Sequence, residues 1–286
     1  ATRNGDETAR IAEMELFDSE GTNLITGEKT AAGEFLEKQN IVDGELTTEM
    51  SFENVPVIMN AWVSATENIM VTAITSQGES PVELEAEVWT KDDVAEFPAQ
   101  SGMTDTTVWA SRKTNNRAKE NKKSWTSEAV IASKVIGISA EAKDSDRAEA
   151  ALVFTLEPGQ TVQIVTSIGG GGQTYDNTDK LTGTVPLEEA EIILGRYNTS
   201  EDISNLKEEN DNWWKEYWMK SSINIGDSLL HKYYYGSLYY MGAASREDTL
   251  APGIFGIWTT TDGAMWNGDY HMNYNYIAPF YGMYSS

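Results

Sequence analysis

The apolar residues of this 286-residue chain change their spacing near residue 187. Before that point they recur every second residue between turn residues, which is the period of strands with one buried face. After it they recur with the period of an amphipathic helix. Because one segment cannot satisfy both periods, a β-rich part must precede a helical part.

The strand pattern is clearest where Val82, Leu84, Ala86 and Val88 alternate with three glutamates. Similar alternation recurs in the stretches 46–52, 57–63, 69–74, 129–138, 151–156 and 162–166. Many short strands with one wet face are typical of an antiparallel sandwich rather than of a parallel α/β sheet. We therefore predict an N-terminal β-sandwich domain over residues 1–186.

Three segments among these strands carry turn or loop signals. Leu156-Glu157-Pro158-Gly159-Gln160 predicts a tight turn that closes a hairpin, since Pro presets φ and Gly accepts a positive φ. The four glycines at 169–172 lack the Lys and Ser or Thr of a phosphate-binding loop, and a flexible loop at a strand end is predicted there. Residues 92–127 are polar and poor in aliphatic side chains, which predicts a long excursion between strands.

Two helices are predicted after Pro186. One apolar stripe begins at Ile203 and ends at Trp218, with Thr199 and Asp202 as a capping pair at its start. A second helix begins near Asp227 and ends before Ser245. We assign residues 187–226 to a helical linker and 227–286 to the start of a further helical domain.

The charge balance and the lack of cysteine exclude several classes of function. The chain has 45 Asp and Glu against 21 Lys and Arg, and a net charge of −24 repels nucleic acid and anionic lipid. Without cysteine there is no thiolate metal site and no Cys nucleophile. His231 and His271 have no partners at a metal-ligand spacing, and no apolar run approaches the roughly 18 residues of a membrane span. We expect no cofactor, no metal, no nucleic acid partner and no membrane span.

Tryptophan and tyrosine accumulate in the helical part. Their flat faces stack on sugar rings while Asp and Asn bind the hydroxyl groups, which is the mixture that a glycan site needs. The aromatic stripe that begins at Trp213 has helical spacing and fits a packed core better. The candidate substrate-binding residues lie in a later loop that is dense in Gly, Asp and Asn: Trp258, Trp266, Asn267, Asp269, Tyr270 and His271.

Asn273 and Asn275 are the candidate catalytic residues. If the chain around them is locally extended, the two side chains point the same way, because strand side chains repeat every two residues. Two carboxamide oxygens at one point could accept hydrogen bonds from a water and orient it for attack. An amide is a poor base, so a nearby carboxylate would have to take the proton. A loop held together by amide hydrogen bonds is the alternative interpretation.

Ser245-Arg246 and the stretches 251–258 and 266–275 resemble the start of the catalytic barrel in glycoside hydrolase family 95. The resemblance implies a β-sandwich, a linker helix and the first helices of an (α/α)6 barrel. It also implies inverting cleavage of α-L-fucosides or α-L-galactosides, with the family's water-positioning Asn-x-Asn pair at Asn273 and Asn275. The family's general acid Glu and helper Asp are expected later in the barrel. Thr259 and Ala264-Met265 depart from the family's usual residues.

The sequence thus predicts the N-terminal portion of an acidic glycoside hydrolase that is secreted, periplasmic or on the cell surface. Its expected partners are an oligosaccharide or glycan substrate and the remainder of the catalytic barrel. Without the general acid, this chain alone is expected to be inactive. The aromatic run from Tyr281 favours this hypothesis, because finished domains usually end in exposed polar residues. A non-catalytic glycan-binding or structural module is the alternative.

Overall fold

The computed structural model describes residues 36–91, 97–104, 106–115, 126–144, 148–175, 181–183, 185–246, 253, 265 and 272–284. The chain forms two compact units, Ala1–Asn212 and Trp213–Ser286. The boundary between the units falls within one helix. The predicted division at residues 186 and 226 stays a prediction.

Within the described residues, strands precede helices, as the change of period predicts. The strands are β1 (Leu36–Asn40), β2 (Glu45–Phe52), β3 (Val55–Val63), β4 (Ile69–Ser76), β5 (Val82–Trp89), β6 (Ala99–Met103), β7 (Thr107–Asn115), β8 (Thr126–Ile136), β9 (Glu141–Asp144), β10 (Glu149–Leu156), β11 (Thr161–Tyr175) and β12 (Leu181–Gly183). The helices are α1 (Pro186–Leu194), α2 (Ser200–Met219), α3 (Ser228–Ala244), α4 (Tyr274–Ile277) and a 3₁₀ helix (Ala278–Tyr284).

The described strands form two antiparallel sheets. The larger sheet has nine strands in the order β1-β2-β3-β4-β11-β8-β7-β6, with β12 paired to β11. The smaller sheet has three, in the order β5-β10-β9. In β5, Val82, Leu84 and Val88 are buried while the intervening glutamates are exposed, which is the predicted alternation.

The two sheets pack face to face, and this confirms the predicted β-sandwich. Val57, Ile74 and Val162 of the larger sheet pack on Leu84 and Phe154 of the smaller one. Complete burial of one such side chain stabilises the folded state by about 1.5–3 kcal/mol. These contacts between two apolar faces are what holds the smaller sheet in place.

Helices cover the opposite face of the larger sheet. Leu194 of α1 and Ile203 and Leu206 of α2 are buried against Trp62 and Val71. The larger sheet is therefore the middle layer of the N-terminal unit, with helices on one side and the smaller sheet on the other. None of the helices in the described part of the chain is both long and apolar enough to cross a membrane.

The prediction of a hairpin around Pro158 is wrong, although the turn itself is present. Gln160 N–H donates to the Glu157 carbonyl at 3.0 Å, and Gly159 has φ of 71°. However, β10 pairs with β5 and β9, whereas β11 pairs with β4 and β8. The turn therefore carries the chain from one sheet to the other. Local turn chemistry does not determine which strands pair beyond the turn.

The prediction of a flexible glycine loop is also wrong. The four glycines continue β11 and pair in register with β8, from Gly169 opposite Val130 to Gly172 opposite Ser127. A Cβ atom at Gly169 would collide with the carbonyl group of Pro186, the first residue of α1. At Gly169 the missing side chain therefore allows the start of a helix to approach the sheet closely.

Residues 92–127 are not the single long excursion that their polarity predicts. They contain β6 and β7, and β7 adds Val108 and Ala110 to the core between the sheets. The alternate positions of β7, on its other face, include the small polar residues Thr107 and Ser111, which are buried as well. A strand that is buried on both faces and has few aliphatic residues gives a weak signal of period two.

Candidate functional site

Among the predicted site residues, Asn273 and Asn275 are described by the structure. The six substrate-binding candidates lie outside the described residues: Trp258, Trp266, Asn267, Asp269, Tyr270 and His271. The geometry of the candidate site is therefore the geometry around the two asparagines and of the aromatic residues in the same unit.

Asn273 immediately precedes α4 and has extended backbone angles, φ of −106° and ψ of −175°. Its carbonyl oxygen accepts hydrogen bonds from the N–H groups of Tyr276 and Ile277, both at 3.1 Å. Its side chain makes no hydrogen bond to the start of the helix. Backbone bonding thus fixes the position of Asn273, while its exposed carboxamide is not used as a cap.

Asn275 lies inside α4, so residues 274–277 are helical and not extended. Side chains two positions apart do not share a face on a helix, so the strand argument for two parallel amides does not apply to this segment. Both asparagines are exposed. Their joint role in holding a water stays a prediction.

Aromatic contacts hold the short segment that carries the two asparagines. Tyr276 is the buried residue of α4, and its ring lies 5.5 Å from that of Phe280. The ring of Tyr274 packs edge-on against Tyr281 at 6.5 Å and remains exposed. An exposed aromatic ring between two exposed amides offers both an apolar face and hydrogen-bonding groups to a ligand.

A larger aromatic cluster lies between the end of α2 and α3. Trp214 is buried, and its ring stacks on Tyr239 at 5.1 Å and on Trp218 at 6.0 Å. The hydroxyl of Tyr217 donates to the Leu238 carbonyl at 2.6 Å, and burial raises the pKa of this phenol. These rings pack on one another, as the helical spacing predicts.

Gly242 permits the close approach of α3 to this cluster. A Cβ atom at Gly242 would lie 2.8 Å from the Cζ atom of Tyr217, closer than real Cβ contacts.

Arg246 follows α3, and its guanidinium carbon lies 3.7 Å from the ring centre of Trp213 and 5.6 Å from that of Trp214. Burial lowers the pKa of this guanidinium, but an arginine stays charged in proteins.

A depression with about 400 Å³ of empty space, part of it open solvent, lies in the same unit. It is lined by Tyr217, Trp218, Lys220, Ser221, Leu238 and Met283. Neither Asn273 nor Asn275 is among these residues. Within the described part of the chain, no group of three or more His, Asp or Glu side chains could hold a metal ion.

No family model matches the sequence, and no curated protein matches it. By structure, the chain is similar to "Putative kojibiose phosphorylase from human microbiome", with a TM-score of 0.55, 13% sequence identity, and coverage of 82% of this chain and 31% of that one. This likeness shows the fold. The sandwich followed by helices is thus an arrangement that a solved structure shares, and the chain spans 31% of the length of that structure.

Two further solved structures are glycoside hydrolases of family GH92. One is ccman5, with a TM-score of 0.37, 12% identity, and coverage of 74% of this chain and 30% of that one. The other is an α-mannosidase from Bacteroides thetaiotaomicron, with a TM-score of 0.28, 10% identity, and coverage of 74% and 27%. Their TM-scores are too low to support an argument about the fold. None of these three names mentions family 95.

Sequence reasoning missed the place of Arg246 and the lining of the depression. In the sequence Arg246 stands out only as part of the Ser245-Arg246 motif, yet its guanidinium stacks on the Trp213 ring. A single basic residue two positions beyond the end of a tyrosine-rich helix is the signal that could have indicated a cation–π contact. Lys220 and Ser221 carry no such signal, because they lie in the connection between two helices.

Proposed function

We propose that this chain is the N-terminal portion of a glycoside hydrolase that cleaves α-linked sugars from glycans. The observation that carries the proposal is the structural likeness over 82% of the chain to a protein whose name describes an enzyme acting on a sugar, kojibiose. The aromatic and amide side chains of the C-terminal unit support it, because they are the groups that bind sugar rings and hydroxyls.

The finer proposal is inverting hydrolysis of an α-L-fucoside or α-L-galactoside, with Asn273 and Asn275 as the groups that hold the attacking water. The sequence resemblance at 266–275 supports the role of both residues. Their exposure also supports it, because both amides can reach solvent and a ligand. The carboxamide of Asn273 does not cap α4 and is available for another partner.

In this reaction the water oxygen attacks the anomeric carbon while the bond to the leaving-group oxygen breaks. A carboxylic acid protonates the leaving oxygen, and a carboxylate takes the proton of the water. The amides orient the water and do not take its proton, because a neutral carboxamide is a poor base. Both carboxyl groups would come from the remainder of the barrel, about 6.5–9.5 Å apart to admit the water.

The remainder of the barrel is the proposed protein partner, and an uncovered stripe on α3 supports this. Leu229, Leu230, Tyr233 and Tyr240 are 59%, 55%, 65% and 52% exposed. Four large apolar side chains on one helix indicate a face that packs against other protein rather than a face in contact with solvent.

We also propose a secreted, periplasmic or cell-surface enzyme, which rests on the family resemblance alone.

The test is an activity assay on the longer polypeptide that contains this chain. Aryl α-L-fucosides and α-L-galactosides serve as substrates, and proton NMR of the first product distinguishes inversion from retention. We expect Asn273→Ala and Asn275→Ala to lower kcat by at least about 100-fold, since a misplaced nucleophile loses its orientation. Asn205→Ala, at an exposed asparagine of α2, is the matched control and should retain full activity.

Two results would contradict these proposals. Wild-type rates from both asparagine variants would remove their role while leaving the glycosidase assignment intact. Binding of α-linked oligosaccharides by calorimetry without turnover of any of them would instead support a non-catalytic glycan-binding module.

A further inference from the structure

Asn210 is a polar side chain with 0% exposure in the middle of α2. Its Oδ1 atom accepts a hydrogen bond from the backbone N–H of Ala65 at 3.1 Å. Its Nδ2 atom donates to the backbone carbonyl of Asp43 at 3.0 Å. Asp43 lies in the turn between β1 and β2, and Ala65 lies in the connection between β3 and β4. One carboxamide thus joins the helix to two separate turns of the larger sheet.

The position of Asn210 on the helix is one where an apolar residue is expected. Ile203, Leu206 and Asn210 follow the spacing i, i+3, i+7, which is the apolar stripe of a helix. Ile203 and Leu206 are buried in the core cluster that contains Trp62. Asn210 continues this stripe with a polar group, whose loss of hydration is offset only while its hydrogen bonds to Ala65 and Asp43 are made. Its further hydrogen bond, to the Asp211 carboxylate, is long at 3.5 Å.

Apolar and polar contacts differ in how strictly they define a position. Burial of Ile203 and Leu206 is non-directional, and a helix moved by one turn could bury other apolar residues instead. The two bonds of Asn210 require two backbone groups at fixed distances and directions. In coiled coils a single buried Asn at a core position specifies register in this way, at a cost in stability.

Ion pairs flank Asn210 on the same helix. Lys207 lies 3.2 Å from a Glu45 carboxylate oxygen and 2.5 Å from one of Asp211. These three side chains keep part of their surface in solvent, and long flexible side chains can follow a moved helix more easily than a buried amide can. The ion pairs therefore add attraction to the sheet but define the position of the helix less strictly than Asn210.

We propose that Asn210 fixes the register of α2 on the larger sheet. With Asn210 the helix has one position against the turns that contain Asp43 and Ala65. With an apolar residue there, positions that differ by one helical turn, about 5.4 Å, become similar in energy. Since α2 continues to Met219, such a slip would displace every residue of the helix together.

Distances between spin labels on the full chain test this proposal, and the absence of cysteine makes the chain suitable for it. One label is placed at Glu208, an exposed residue of α2. The second is placed at Glu53, exposed in the turn between β2 and β3, or at Glu85, exposed on β5. Two label pairs observe the helix from two directions. Double electron–electron resonance should give one narrow distance peak for each pair in the otherwise unchanged chain.

We expect Asn210→Leu to broaden the distribution or add a second peak displaced by about 5 Å in at least one label pair. Asn205→Leu, which replaces an exposed asparagine of the same helix, should leave one narrow peak. If Asn210→Leu does not fold, Asn210→Ala is judged by the same criterion. Folded variants with the unchanged distribution in both pairs would overturn the proposal. Failure of both variants to fold would also overturn it, since Asn210 would then be needed for stability rather than for register.

Discussion

The guanidinium carbon of Arg246 lies 3.7 Å from the centre of the Trp213 ring, so the cation rests on an indole face. Burial lowers the pKa of Arg246, and the electrostatic interactions with Tyr217 and Tyr239 oppose this shift. We expect Arg246→Ala to lower the free energy of unfolding by about 1–2 kcal/mol, because cation–π contact and stem packing are both lost. Chemical denaturation followed by tryptophan fluorescence measures the change.

The Arg246→Lys variant distinguishes the contribution of the positive charge to stability from that of the stacked planar group. Lysine keeps the positive charge but has no planar group to lie on Trp213, so we expect this variant to recover part of the stability that Arg246→Ala loses. A full recovery would show that charge alone matters. No loss in either variant would mean that the contact contributes nothing to stability.

The close approach of Gly169 to Pro186 predicts opposite results at two neighbouring glycines. A Cβ atom at Gly169 would collide with the Pro186 carbonyl, so Gly169→Ala should cost about 1–3 kcal/mol of stability as the sheet and α1 move apart. Gly170→Ala is the control, because nothing lies within 4 Å of its Cβ position. That variant should be neutral or slightly stabilising, since glycine weakens a strand. Thermal unfolding of both compares them, and equal losses would contradict the steric explanation.

The glycine run also shows which parts of the fold could be predicted from the sequence. Alternation predicted the strand around Leu84, and turn chemistry predicted the turn at Pro158, because both depend on neighbouring residues. The pairing of β11 with β8 and the helix start above Gly169 depend on residues far away in the chain. Local patterns therefore predict a loop at the four glycines, whereas pairing with the distant strand β8 makes this segment part of β11.

In the candidate site, too, features that depend on neighbouring residues could be predicted, whereas features that depend on tertiary contacts could not. The aromatic stripe around Trp214 was predicted from helical spacing and packs as expected. The parallel arrangement of Asn273 and Asn275 was derived from an assumed extended backbone, but Asn275 lies in a helical turn. The sequence on either side of this segment has too short an apolar pattern to predict its conformation. That conformation depends instead on contacts such as the one between the rings of Tyr276 and Phe280.

The buried lysine of β8 predicts a pH dependence of stability. Lys134 donates through Nζ to the Oδ1 atom of Asn198 at 2.8 Å. Burial lowers the pKa of Lys134 below its ordinary value of 10.5, and the Asp202 carboxylate opposes this shift. Between the lowered pKa and 10.5 the unfolded chain binds more protons than the folded chain, so this group makes stability rise with pH in that window.

Lys134→Met removes the titration and keeps a long apolar stem. We expect the free energy of unfolding of the wild-type chain, minus that of the variant, to rise as the pH increases through the window below 10.5. Tyrosines such as Tyr197 titrate in both chains, so their contribution cancels in the difference. Urea denaturation at a series of alkaline pH values gives the difference, and a constant value would contradict the shifted pKa.

Asp227 caps the helix that carries the exposed apolar stripe. Its carboxylate accepts hydrogen bonds from the N–H groups of Leu229 and Leu230, at 2.9 Å and 3.0 Å. Asp227→Ala leaves both donors without this partner and should cost about 1 kcal/mol, whereas Asp227→Asn keeps an acceptor and should cost less. Hydrogen exchange at the first turn of α3 measures the local effect. Because the start of this helix is exposed, exchange there should rise in Asp227→Ala while exchange in the β-sandwich stays unchanged, and a uniform rise over both units would contradict a local role for the cap.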